Sequence, residues 1–185
     1  FGGIDALLNR ELSWLDFDRR VLAQSAEDDI PLLERLKFVA ISGSNLDEFF
    51  QVRVAALKDQ IAAEVTVASP DGRSPAGQLL EVLEGVANIV RDQERILLDE
   101  LLPALRSEGI ALCDWAELNV EEQKKLIETF EQRIFPVLTP LAVDPGHPFP
   151  YISNLSLNLG VMVRDPETSE RRFTRLKVPQ LLPRY

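Results

Sequence analysis

Within the run SGSNLDEFFQVRVAALK, Asn45, Asp47 and Glu48 are packed into four positions, and two cations, Arg53 and Lys58, follow them. An asparagine side chain carries a carbonyl acceptor and an amide donor. At a helix start it can complement the edge of an adenine ring, which presents an acceptor beside an amino donor, or it can serve as a plain helix cap. Spacing alone leaves both open. Asp47 and Glu48 suggest acid and base roles or a magnesium site, but successive helical residues point about 100° apart and do not converge on one ion. Acids in a first turn, complementing the helix dipole, explain them better. An independent acidic hydrolase built on this pair lacks a third ligand or a base. Arg53 and Lys58 face either a phosphate or solvent. His147 in GHPFP reads as a structural loop histidine without an acid at helical spacing, and Cys113, with no histidine motif nearby, reads as buried or idle. No catalytic or metal-binding residue is assigned in this chain.

These residues need elements to position them. Pro31 suits a first helical position, with Asp28 or Asp29 before it as cap and an apolar stripe of Leu32, Leu33, Leu36, Val39 and Ala40. Gly43 then ends that helix, and Ser44 or Asn45, with Asp47 or Glu48 three residues on, opens another through a capping box. Its stripe is Leu46, Phe49, Phe50, Leu57 and Ile61. Upstream, Asn9 to Leu15 is expected to be extended or irregular, with Ser13 and Asp16 capping a first helix through Phe17, Val21 and Leu22. Trp14 anchors this entry segment against the core, packing being favoured over stacking on a nucleotide. Val67 to Pro75 reads as a mobile loop tip. Ser74 and Pro75 then start a helix with the stripe Leu79, Val82, Leu83, Val86, Ile89, Val90, Ile96, Leu97 and Leu101. It runs about 50 Å to Ser107, is kinked near Pro103 and ends at Gly109. Three shorter helices and this long one predict an antiparallel helical bundle over residues 1–108.

A change of texture follows over 109–185. Ile110 to Cys113 reads as a short strand, and Asn119 with Glu122 caps a helix through Leu126, Ile127 and Phe130 to about Ile134. Five prolines between Pro136 and Pro150 exclude regular helix and central strand, leaving a crossing loop or a domain seam. Leu155, Leu157, Leu159, Val161 and Val163 alternate, DPETSE turns, and Phe173 to Val178 returns as a β-hairpin. A hairpin alone is marginal, so this part reads as an incomplete α+β domain. The fold class is mainly α, one helical bundle followed by that truncated domain.

The run SGSNLDEFFQVRVAALK, with NRELSWLDFDRRVL before it and FPVLTPLAVDPGHPFPYISNLSLNLGV after it, closely resembles the amino-terminal part of the long, histidine-phosphorylating polyphosphate kinases. The resemblance runs in order from Asn9 to about Arg184. It implies that the complete enzyme transfers the terminal phosphate of ATP reversibly, through a phosphohistidine, onto a growing polyphosphate chain, with magnesium as cofactor. It also implies that Asn45, in an intact S-N-L-D-E-F motif, contributes to the ATP site. The phosphorylated histidine belongs to a phosphotransfer domain outside this chain, so His147 is not that residue. ATP and polyphosphate are then handled through the remaining domains of a homo-oligomeric enzyme, and this part alone is expected to be inactive. The alternative is a purely structural or oligomerisation module without nucleotide contact.

Composition bounds these readings. At 185 residues, 45% hydrophobic and 27% charged, the chain can bury a core. A net charge of -10 argues against holding nucleic acid or long polyphosphate unaided, because a polyanion requires cations to replace its counterions. One cysteine excludes an internal disulfide, and one histidine excludes a histidine-rich metal site. No apolar run is long enough to span a bilayer, and the start FGGIDALLNRE lacks the pattern of a secretory signal, which predicts a cytoplasmic protein.

Overall fold

The structure, a computed structural model, describes residues 7–144 and 146–182. Expectations for the first six residues of FGGIDALLNRE, for Pro145, and for Pro183, Arg184 and Tyr185 of LLPRY lie outside them. The chain divides into two compact units, Phe1–Leu112 and Cys113–Tyr185.

The first unit is a bundle of three rods. Helix α1 spans Arg10–Ala23, and its cap is Asn9, whose side chain accepts from the backbone N–H groups of Glu11 and Leu12 at 3.0 and 3.1 Å. Ser13 and Asp16 therefore lie inside a helix that starts earlier than expected. Helix α2, Leu32–Phe49, runs unbroken through Gly43, continues as a wide π turn at Phe50–Val54 and ends as α3, Ala55–Ala62. The expected break at Gly43 and the capping box at Ser44 and Asn45 are absent. A glycine inside a helix costs only about 1 kcal/mol, less than the packing gained by keeping Ser42, Leu46 and Phe49 on one buried face. Asp47 and Glu48 thus sit exposed in mid-helix, where the dipole of a helix start does not reach them. Pro31 precedes the helix with an extended ψ of 140°, and neither Asp28 nor Asp29 caps it.

The third rod starts where expected. Ser74 Oγ accepts from Gly77 N at 3.1 Å, Pro75 follows, and α4 covers Pro75–Arg95. A second π turn, Ile96–Leu101, leads into α5, Leu102–Ser107. Gly109, at φ +82°, closes the end, with Gly109 N donating to Arg106 O and Ile110 N to Leu105 O, the paired bonds of a Schellman stop. The expected strand at Ile110 to Cys113 does not form.

Each π turn adds one residue, so the buried stripe advances by five positions there instead of three or four. Phe49 is followed in the core by Val54, 2% exposed, while Val52 is 54% exposed. Ile96 is likewise followed by Leu101, and Leu98 faces outward. Phe50, Ile61, Leu83 and Val90, expected on the stripe, are 37–41% exposed and lie at its margin. The core comprises Leu15, Leu22, Leu46, Phe49, Val54, Leu57, Val82, Val86, Ile89, Ile96 and Leu101. Trp14 packs against it as expected, stacked on Phe49 with centroids 4.5 Å apart and planes at 17°.

Cross-links fix the directions of the rods. Trp14 meets Phe49 while Arg35 Nε donates to Ser25 O at 2.7 Å, so α1 and α2 are antiparallel. Gln93 meets Ser42 while Arg35 pairs with Glu100, so α2 also opposes α4. Asn9 bonds Gln78, and Gly85 abuts Leu15, making α1 and α4 parallel.

The loop 63–74 is tied down where a mobile tip was expected. Asp71 accepts from Ser69 Oγ, from Asn9 Nδ2 at 2.9 Å and from Arg73 at 2.7 Å, and Arg73 reaches on to Glu81 at 2.9 Å. The Ser69 hydroxyl foremost, with Asn9 and Arg73, holds the Asp71 carboxyl well below the usual carboxylate range. A carboxyl with a depressed folded value adds stability that is complete above its ordinary value of 3.8 and is lost as pH falls below it. The stability difference between the parent and Asp71→Asn is therefore expected to be flat at neutral pH and to shrink below about pH 4. Denaturant titrations across that range check it, and a difference that grows on acidification contradicts it.

In the second unit, α6, Val120–Thr129, carries the expected capping box: Glu122 N donates to Asn119 Oδ1 and Asn119 N to Glu122 Oε2, both at 3.0 Å. A π turn, Phe130–Ile134, and a 3-10 turn, Phe135–Val137, follow it. The proline-rich run contains a strand, β1 at Pro140–Val143, where only a loop or seam was expected. It is an edge strand opening on a proline, the position in a sheet that tolerates the missing N–H. The hairpin forms from β2, Asn158–Arg164, and β3, Arg171–Lys177, in the antiparallel order β1-β3-β2. In its turn Asp165 Oδ1 accepts from Glu167 N and Thr168 N at 2.8 and 3.0 Å, bonds that lower its pKa.

Candidate functional site

His147 and Cys113 belong to the second unit, and both are exposed, so of the two readings of Cys113, buried or idle, the first is corrected. His147 does have an acid: its Nδ1 lies 3.1 Å from Asp144 Oδ1, and its backbone N–H donates to the same oxygen at 2.9 Å. The pair closes a tight turn and lowers the Asp144 pKa, chiefly through the imidazole. Lys58 is exposed and Arg53 half-buried, and neither has a hydrogen-bond or ion-pair partner among the described residues. Among those residues no group of three or more His, Cys, Asp and Glu side chains is placed to hold a metal ion.

Asn45 is different. It lies in the second half of α2, half-buried, on the helix face next to the buried seam. Its Nδ2 donates to Asp18 Oδ1 of α1 at 2.9 Å. The other carboxylate oxygen, Oδ2, accepts from Ser42 Oγ at 2.9 Å, and Ser42 Oγ accepts from Gln93 Nε2 of α4 at 2.9 Å. One polar chain thus links all three rods at the level where Asn45 sits. Asp18 is fully buried; desolvation raises its pKa, opposed by the hydrogen bonds from Asn45 and Ser42.

Beside Asn45 is a shallow cavity of about 290 Å³ lined by Lys37, Ala40, Ile41, Ser44 and Asn45. All five residues belong to α2, so the cavity is a shallow, mostly apolar groove on the surface of one helix, with the Asn45 amide at its edge. The carbonyl oxygen of Asn45 and its second amide N–H make no hydrogen bond to other described residues. One acceptor and one donor of the Asn45 amide are therefore left free for a ligand. Sequence reasoning found Asn45 but missed Asp18, Ser42 and Gln93. Asp18 and Ser42 are polar residues at fully buried helix positions and Gln93 a half-buried one, a signal visible only once the stripes are drawn.

Family models match nearly the whole chain: the polyphosphate kinase N-terminal domain at residues 7–113 and the polyphosphate kinase middle domain at residues 121–185. The chain is 56% identical over 177 residues to a polyphosphate kinase of Synechocystis sp., covering 96% of this chain and 24% of that protein. It is 51% identical over 181 residues to one of Mycobacterium tuberculosis, covering 98% and 24%. It thus spans about a quarter of the length of these relatives. The crystal structure of polyphosphate kinase from Porphyromonas gingivalis superposes with a TM-score of 0.71 at 29% identity, over 95% of this chain and 27% of that one. The helical bundle, the small antiparallel sheet and these matches make one result: the chain belongs to the polyphosphate kinase family, with residues 7–113 in its N-terminal domain and residues 121–185 in its middle domain.

Proposed function

We propose that this chain is the amino-terminal part of an ATP:polyphosphate phosphotransferase and supplies one wall of its adenine pocket through Asn45. The observation that carries this reading is the unpartnered carbonyl and N–H of Asn45, presented beside the cavity lined by Lys37, Ala40, Ile41 and Ser44. An adenine edge offers the complementary acceptor and amino donor. The chemistry belongs to the remainder of the protein. Transfer through a phosphohistidine requires an activated histidine and cations around the phosphates. His147 instead closes a turn with Asp144, and the chain carries a net charge of -10. The described acidic and histidine side chains do not fit a magnesium ion as a set, so no step through magnesium is assigned to this chain. Taken alone it should form no polyphosphate.

Asn45→Ala in the full-length protein is expected to raise the KM for ATP about threefold to tenfold, the equivalent of one lost neutral hydrogen bond. Steady-state kinetics at varied ATP check this. A KM equal to the parent's overturns the nucleotide reading and leaves the helices as a scaffold or assembly module.

A further inference from the structure

We infer that Asp18 is the positioning residue that aims the Asn45 amide at the base. The inference rests on the nucleotide reading of Asn45, but the geometry behind it is independent. An asparagine amide has two nearly isosteric orientations that exchange donor and acceptor, and only its partners select one. Asp18 Oδ1, 2.9 Å from Asn45 Nδ2, is a pure acceptor when ionised, so it admits the NH2 end and turns the carbonyl oxygen away. The opposite orientation would bring two oxygens together in a buried site. Asp18 itself has no freedom to follow. It is 0% exposed in the middle of α1, and Ser42, backed by Gln93, occupies its second oxygen. Burial stiffens the arrangement, because a buried carboxylate that loses either donor is left unsatisfied. In the first unit Asp18 is also the one fully buried acid among the described residues, and no cation pairs with it there. An ion pair therefore does not explain its place, whereas orienting an amide does.

The test uses the full-length kinase and four variants: Asp18→Ala, Asp18→Asn, Asn45→Ala and the double Asp18→Ala/Asn45→Ala. Asp18→Ala is expected to raise the KM for ATP about threefold to tenfold with kcat nearly unchanged, since the amide loses its aim and the hydrogen bond to the base is lost in part or whole. In Asp18→Asn a carbonyl oxygen can still accept from Asn45 while the new NH2 turns to Ser42, so its KM should stay within about twofold of the parent's. In the Asn45→Ala background, adding Asp18→Ala should change KM no further, because a residue that acts only through Asn45 has nothing left to aim. A merely structural role predicts equal effects of Asp18→Ala in both backgrounds, and that outcome overturns the inference. So does a parental KM in Asp18→Ala when Asn45→Ala is impaired, which leaves the Asn45 reading standing. A parental KM in Asn45→Ala removes the reading and the inference together. Should Asp18→Ala not fold, Asp18→Leu, which keeps the shape of the side chain without an acceptor, replaces it in the same double-mutant cycle and is read by the same outcomes.

Discussion

Phe49→Ala is expected to lower the stability of the helical unit by about 3–5 kcal/mol, the range for a large aromatic removed from a packed core. Phe49 is 2% exposed and stacks on Trp14, so the variant loses both the transfer of the ring from water and a stacked pair worth about 0.5–1.5 kcal/mol. Its position deepens the loss. Phe49 is the last residue of α2, and the wide turn at Phe50–Val54 starts directly after it. The seat of the ring therefore holds the register that brings Val54 and Leu57 back into the core. Denaturant unfolding followed by the fluorescence of Trp14 reads the change, and a loss below about 1 kcal/mol would mean that the site collapses around the gap.

The second large effect comes from a glycine. A Cβ at Gly85 would stand 2.9 Å from Leu15 Cδ1 and 3.3 Å from Arg19 Nη2, both on α1. Leu15 is 1% exposed and boxed in by the core, so it cannot swing aside and α1 must move away from α4. Gly85→Val is expected to cost about 1–3 kcal/mol through overpacking. Gly43 is the internal comparison, because a Cβ there meets nothing within 4 Å. Gly43→Ala should therefore stabilise the unit by about 0.5–1 kcal/mol, the backbone entropy that glycine carries in a helix interior. Opposite signs in two urea titrations confirm that the parallel contact of α1 with α4 decides Gly85. A neutral Gly85→Val contradicts that contact.

Family membership was legible in motifs spread from Asn9 to about Arg184, and the helical first unit and the hairpin of the second were legible because each is carried by residues close together along the chain. Ser74 with Pro75, Asn119 with Glu122, and Gly109 are local signals: a cap or a stop uses backbone groups within a few residues and does not depend on what packs nearby. The alternation from Leu155 to Val163 and the Asp165 turn are local in the same sense, although the strand starts only at Asn158 and Leu159, Val161 and Val163 are exposed. Tertiary structure decided the rest. Gly43, Ser44 and Asn45 form a locally credible helix boundary, yet α1 and α4 hold Ser42 and Leu46 inside one continuous rod, and burial outweighs the local preference. The five-residue steps from Phe49 to Val54 and from Ile96 to Leu101 arise because facing helices select which side chain is buried, and a 3.6-residue period cannot anticipate them. Asn9 caps α1 with its amide also bonded to Asp71 and Gln78, more than 60 positions away. The candidate site divides in the same manner. Asn45 was named by its motif, but the orientation of its amide depends on Asp18, 27 positions earlier, and on Gln93, 51 positions beyond Ser42, because a buried carboxylate draws its donors from whichever helices enclose it.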